Sequence, residues 1–297
     1  MSVQAKDYGI LVGVDGSPAS NAAVCWAARD AVMRRIPLTL VHVVNPGAST
    51  WSQIPPLDEF SVWQESEGRR ILADALKIAR DTANDNPRIP IESELKFSAT
   101  VPTLVDLSKE AELLVVGTDG RGTLARGLLG SVSAGLVRHA HCPVAVIRDE
   151  DQRMPHPVQA PVLVGIDGSP ASELATGIAF DEASRRRVDL IALHAWRDTE
   201  VFELPGLDWS AVKDEEERIL AEVLAGWQER YPDVTVTRLL VCDRPARALV
   251  ETSESAQLVV LGSRGRGGFT GMLLGSVSNA VVQSVRMPVI VARPVEA

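Results

Sequence analysis

Two glycine patterns of identical spacing mark where this chain could hold an anion. Gly117, Gly120 and Gly130-Ser131 form the first, Gly262, Gly265 and Gly275-Ser276 the second, and both read G-x2-G-x9-G-S. Each follows a short apolar run, Leu113 to Val116 or Leu258 to Leu261, so each loop leaves the end of a buried strand. That is where α/β sheets hold ligands. A loop of backbone N–H groups entering a helix at Ser131 or Ser276 favours an anion, because unpaired donors and the helix dipole act in one direction. Phosphate is the natural guest. Gly117 and Gly120 would let the backbone approach it, while the hydroxyls of Ser131, Ser133, Ser276 and Ser278 could donate to its oxygens. The alternative is that the glycines only make turns and the serines only cap helices.

A carboxylate faces each loop. Val14-Asp15-Gly16-Ser17-Pro18-Ala19-Ser20 returns as Ile166-Asp167-Gly168-Ser169-Pro170-Ala171-Ser172. Asp15 and Asp167 end the first strand of each copy, across the expected crevice, where a carboxylate accepts ribose hydroxyls or, with a metal, sits near phosphates. An ordinary Asp-Gly turn is the alternative. No G-x4-G-K-[ST] occurs, the first strand is not followed by G-x-G-x-x-G, and neither G-x-S-x-G nor H-E-x-x-H is present. Dedicated catalytic machinery is not visible. His139, His141 and Cys142 cluster, but repeat two has Ser284, Arg286 and Met287 there, so a helix C-terminus before Pro143 is the better reading than a metal site.

The elements that must position these groups alternate strictly. Repeat one reads as strand Ile10 to Val14, a helix from Ser17-Pro18 to about Arg35, strand Leu38 to Val44, an amphipathic helix Val62 to Ala83, strand Ile91 to Phe97 and a short helix Val101 to Glu110. The glycine loop, a helix from about Ser131 to Ala140 and strand Val144 to Ile147 follow. Trp51 to Phe60, with Pro55-Pro56, reads as a mobile loop. Repeat two follows the same course, with strands Val162 to Ile166, Leu190 to Ala195, Val234 to Val241, Leu258 to Leu261 and Val289 to Ala292. Five strands alternating with four helices imply a parallel sheet covered on both faces.

The period is about half the chain, too long for a solenoid and suited to two whole domains in 297 residues. The division is 1–150 and 161–297, with a polar, proline-bearing linker at 151–160. A net charge of −9 disfavours a nucleic-acid partner held through its phosphates. No apolar run is long enough to span a membrane and Met1 to Ile10 lacks a signal pattern, so the expectation is a soluble, cytoplasmic protein. Cys25, Cys142 and Cys242 have no recurring spacing and read as buried inert thiols.

With an Asp after strand one, His-Val or His-Ala ending strand two, and G-x2-G-x9-G-S after strand four, the chain resembles the universal stress protein family, as a tandem member of its ATP-binding branch. The resemblance spans nearly the whole chain. It implies two Rossmann-like domains, each a five-stranded parallel sheet of order 3-2-1-4-5, with ATP and Mg²⁺ bound across strands one and four. Carried over by position, the nucleotide contacts are Gly13, Val14, Asp15, Val43, Gly117, Thr118, Gly120, Arg121, Gly130, Ser131, Val132 and Ser133. In repeat two they are Gly165, Ile166, Asp167, Ala195, Gly262, Ser263, Gly265, Arg266, Gly275, Ser276, Val277 and Ser278. Mg²⁺ would come with the ATP, near Asp15 or Asp167.

Family members pair through the last strand, which implies a homodimer or an internal pseudo-dimer, with apolar residues exposed on Val144 to Ile147 and Val289 to Ala292. The resemblance also implies a regulatory module in stress response and growth arrest, with an unidentified protein partner. A slow ATPase, using Arg121, Arg264 or Arg266 to stabilise phosphate charge, and a scaffold stabilised by nucleotide are the alternatives. Asp119 stands in the first loop where the second has Arg264. Opposite charges there should make the second site tighter by roughly 1 kcal/mol.

Overall fold

A computed structural model of the chain describes residues 7–45, 57–84, 86, 88–118, 120, 129–149, 159–195, 209–266 and 273–293, with backbone alone at 57–60 and 209–212. Contacts divide the chain at Arg153–Met154 into two compact units.

In the first unit, strand β1 (Ile10–Gly13) is an apolar run whose residues 10–12 are buried. Its end turns at Gly16, whose φ of 76° lies in the left-handed region that glycine tolerates. Helix α1 (Pro18–Arg34) starts because Ser17 caps it, its Oγ accepting from Ser20 N–H at 3.2 Å, and because Pro18 needs no donor in the first turn. It stops at Arg35, which adopts a left-handed conformation at φ 60°. Then come β2 (Leu38–Val44), α2 (Leu57–Thr82), β3 (Ile91–Phe97), α3 (Thr100–Leu107) with a 3-10 turn at Ser108–Glu110, β4 (Leu113–Gly117), α4 (Ser131–His139) and β5 (Val144–Ile147). These strands pair in parallel, in the order β3-β2-β1-β4-β5.

The second unit repeats this with β6 (Val162–Gly165), α5 (Pro170–Arg186), β7 (Leu190–Ala195), α6 (Trp209–Arg230), β8 (Val236–Val241), α7 (Pro245–Ser253), β9 (Leu258–Gly262), α8 (Ser276–Ser284) and β10 (Val289–Ala292). Its parallel order is β8-β7-β6-β9-β10. Ser169 and Pro170 start α5 as Ser17 and Pro18 start α1. Strands β4, β5, β9 and β10 are almost wholly buried, the mark of parallel strands covered by helices.

Three expectations need correction. Leu57 to Phe60 belong to α2 and not to a loop, because the helical turn extends the amphipathic segment backwards. The remainder of that expected loop, and residues 151–158 of the expected linker, lie outside the described residues. The apolar side chains of β5 and β10 are buried, not exposed, since helices cover the faces of these parallel sheets. Cys142 is buried and desolvation pushes its thiol up to about 12, but Cys25 is half-buried and Cys242 exposed. No helix among the described residues is long and apolar enough to cross a membrane.

Candidate functional site

The first-unit crevice is built at the carboxyl ends of β1 and β4. Asp15 makes the Asx turn with one oxygen and turns the other toward Gly120. Its Oδ1 accepts from Ser17 N–H at 2.9 Å, an Asx turn, while Oδ2 lies across the crevice where a Cβ on Gly120 would come within 2.7 Å of it. Asp15 N–H is held by Ser20 Oγ at 3.1 Å, so the helix start and the carboxylate are set together.

Gly117 has a different reason for being glycine. A Cβ there would stand 2.7 Å from the Ala19 carbonyl carbon and 2.9 Å from Ser20 N, so its smallness lets β4 pass against the first turn of α1. The glycine loop then leaves at Thr118 and returns at Gly130, whose N–H donates to Thr118 O at 2.6 Å. Helix α4 begins with Gly130 as its N-cap, which has no side chain to cap it, and its first turn lines the crevice.

The serines divide. Ser131 is exposed at the helix start. Ser133 is buried, and its hydroxyl donates to Gly117 O at 2.6 Å, with Thr118 O at 3.2 Å. In this arrangement its proton ties α4 to the end of β4.

A cavity of about 430 Å³ occupies this crevice, within the roughly 300–1,000 Å³ usual for small-ligand sites. It brings together Gly13, Val14, Asp15, Val43, Gly117, Gly120, Gly130, Ser131, Val132 and Ser133. Thr118 is buried beside it, and Arg121 and Asp119 lie outside the described residues. Sequence reasoning missed Ser20, Val41, His42, Thr100, Leu104 and Val116 in the lining. The Thr100 and Leu104 contribution comes from α3, an element with no motif. His42 had a signal in its repetition as His194: its Nδ1 lies 2.6 Å from Val14 O, the residue before Asp15.

The second unit reproduces the frame. Asp167 Oδ1 accepts from Ser169 N–H at 2.9 Å, Gly262 passes the Ala171 carbonyl carbon at 2.7 Å from its ideal Cβ, and Gly275 N–H closes the loop on Ser263 O at 2.7 Å. Ser278 Oγ donates to Gly262 O at 2.6 Å, so it too serves the backbone. Ser276 and Val277 open α8 behind Gly275, again without a side-chain cap. Asp167 Oδ2 here accepts from Arg266 N–H at 3.2 Å, and the Arg266 guanidinium lies over Gly168, where a Cβ would meet Nη2 at 2.0 Å. Gly165, Ile166 and Ala195 sit on the adjoining ends of β6 and β7, Ile166 N–H donating to Leu193 O at 2.8 Å. No group of His, Cys, Asp and Glu side chains among the described residues could hold a metal on its own, including the His139–Cys142 stretch.

The model of the universal stress protein family matches residues 9–148 and again 160–293. The chain belongs to the universal stress protein family. Universal stress protein Rv2005c of Mycobacterium tuberculosis is 64% identical over 293 residues, covering 99% of both chains. Universal stress protein Rv2623 of the same organism is 59% identical over the same span and coverage. Among solved structures, a universal stress protein from Archaeoglobus fulgidus superposes with a TM-score of 0.72 at 20% identity, covering 97% of this chain and 99% of that one, a likeness of fold. The two universal stress protein domains thus coincide with the two copies of the crevice.

Proposed function

We propose that each crevice binds ATP with Mg²⁺ and that the bound nucleotide acts as a regulatory signal in stress response and growth arrest. The observation that carries this is the opposition, across one cavity, of the Asp15 carboxylate and the uncapped start of α4, the same pair recurring as Asp167 and α8. The donor set fits the ligand. On this reading Asp15 Oδ2 would accept a ribose hydroxyl, the N–H groups at Ser131 and Val132 would donate to phosphate oxygens, and Val14, Val41 and Val43 would cover the face of the base. Mg²⁺, when bound, would neutralise phosphate charge beside Asp15 or Asp167.

Purification without added nucleotide, denaturation and mass spectrometry of the released small molecules test this. About two ATP per chain is the expected result; no released nucleotide and no uptake of added ATP overturns the reading. Turnover measured on the same sample separates a module that retains ATP from a slow ATPase. The Asp119 and Arg264 difference favours tighter binding at the second site, checked by calorimetry on Asp15→Ala and Asp167→Ala proteins. The reading places the protein in the cytoplasm as a homodimer with a further protein partner. Light scattering that gives a monomer at every concentration would count against the dimer.

A further inference from the structure

Strands β2 and β7 each carry a histidine aimed at the site. His42 Nδ1 lies 2.6 Å from Val14 O, and His194 Nδ1 lies 2.6 Å from Ile166 O, the carbonyls that precede Asp15 and Asp167. A carbonyl only accepts, so Nδ1 carries a proton in both rings. Each ring thereby clamps the end of the strand that presents the aspartate.

What faces the other nitrogen differs between the units. Glu216, on α6, brings Oε2 to 3.0 Å from His194 Nε2, with both side chains largely covered. The helix residue facing His42 is Gly68, where a Cβ would stand 3.1 Å from His42 Cδ2 and 2.7 Å from Leu95 Cδ1. A neutral imidazole has one N–H, but Ile166 O and an ionised Glu216 carboxylate are two acceptors. The second unit's arrangement therefore holds one proton more than a neutral ring beside a carboxylate. When that proton leaves, the ring keeps a single N–H. The carboxylate is the stronger acceptor and takes it. Nδ1 then meets Ile166 O lone pair to lone pair, and the clamp on the residue before Asp167 opens. His42 faces no such competition from Gly68.

We propose that Glu216, acting through His194 as a positioning residue, makes nucleotide binding at the second site proton-linked to a degree that Gly68, beside His42 in the first unit, does not; this rests on the nucleotide reading above. Several other charged groups on elements packed near β7 are exposed or paired elsewhere. Asp167 follows the clamped carbonyl, and Arg238 on β8 shares the sheet face of His194 by register but is exposed. On α7 Arg247 pairs with Glu251, on α5 Arg185 pairs with Asp181 and Arg186 with Glu182, and Lys213 lies exposed one turn before Glu216. Glu216 is the carboxylate that touches the ring.

Binding measurements on single-site variants test this. Calorimetry with ATP at about pH 5 and about pH 8, the range in which imidazole ordinarily titrates, uses Asp15→Ala protein to read the second site and Asp167→Ala protein to read the first. The first site carries the protonation of ATP itself and serves as reference. Relative to it, the second site should weaken about 3- to 10-fold on going to the higher pH, the size expected for one lost hydrogen bond. Glu216→Gln should flatten that difference, because a glutamine amide donates to Nε2 and leaves Nδ1–H on Ile166 O. Equal pH dependence at the two sites, or a profile unmoved by Glu216→Gln, overturns the inference alone. No ATP uptake at either site overturns the nucleotide reading, and this inference with it.

Discussion

Asp15 and Asp167 accept from Ser17 and Ser169 N–H groups at the same 2.9 Å, and the two glycine loops close at 2.6 and 2.7 Å on Thr118 and Ser263 carbonyls. The side chains around those frames have diverged. His42 faces Gly68 while His194 faces Glu216, and the helix pair beside each sheet is packed differently. In the second unit Phe180 stacks on Trp227 and Tyr231, with ring centroids 6.1 and 5.7 Å away. In the first unit the helix pair meets at smaller groups, such as Thr82 Oγ1 against Cys25 Sγ at 3.7 Å. Backbone hydrogen bonds and close glycine approaches are what the crevice requires. The packing behind it is free to change so long as volume is filled.

The largest test of that distinction is Phe180→Ala. The side chain is fully buried, so its loss should destabilise the second unit by about 3–5 kcal/mol. Hydrogen exchange followed separately on peptides of each unit checks it. The expected result is lost protection in α5, α6 and β6–β9, with the first unit unchanged; equal loss in both units would mean they do not unfold as separate bodies. Gly117→Ala and Gly262→Ala come next. Each added Cβ meets helix backbone at 2.7 Å, which cannot rotate away, and each should cost about 1–3 kcal/mol in its own unit. Because the contacts are the same, the two costs should match. A clear inequality by the same exchange measurement would break the claim of a shared frame.

Much of this was legible in the sequence because it is written in local chemistry. Ser17-Pro18 and Ser169-Pro170 announce helix starts, and short apolar runs bounded by glycine announce buried parallel strands, so all ten strands lie where periodicity puts them to within about two residues. Asp15 and Gly120 stand out in the sequence as candidate site residues, but that they lie against one another does not, since nothing local relates positions so far apart in sequence. The same limit hid Glu216: a glutamate on an exposed-looking helix has no motif, and its meaning depends on which ring the helix lays it against. Pro55-Pro56 suggests a loop through Phe60, but Leu57 to Phe60 are helical, since proline is well tolerated at a helix start. Residue type alone suggests that Cys242 is buried, yet it is exposed, following β8 at the edge of the second unit's strand order.

The smallest effects separate serines that the sequence presents as equivalent. Ser133 and Ser278 donate to the Gly117 and Gly262 carbonyls at 2.6 Å from buried positions, so Ser133→Ala and Ser278→Ala leave a carbonyl short of a donor and should each cost about 1 kcal/mol of unit stability. Ser131 and Ser276 are exposed in the first turn of α4 and α8, so their alanine variants should change stability by less than about 0.5 kcal/mol. Under the nucleotide reading the affinities run the other way. Ser131→Ala and Ser276→Ala remove a hydroxyl beside the helix N–H groups and should weaken ATP binding a few-fold in calorimetry, while Ser133→Ala acts on affinity only as far as it loosens the end of β4. If Ser133→Ala instead abolished binding with stability intact, its hydroxyl would have to leave Gly117 O for the ligand. The crevice would then be a frame that rearranges on binding and not one that is already set.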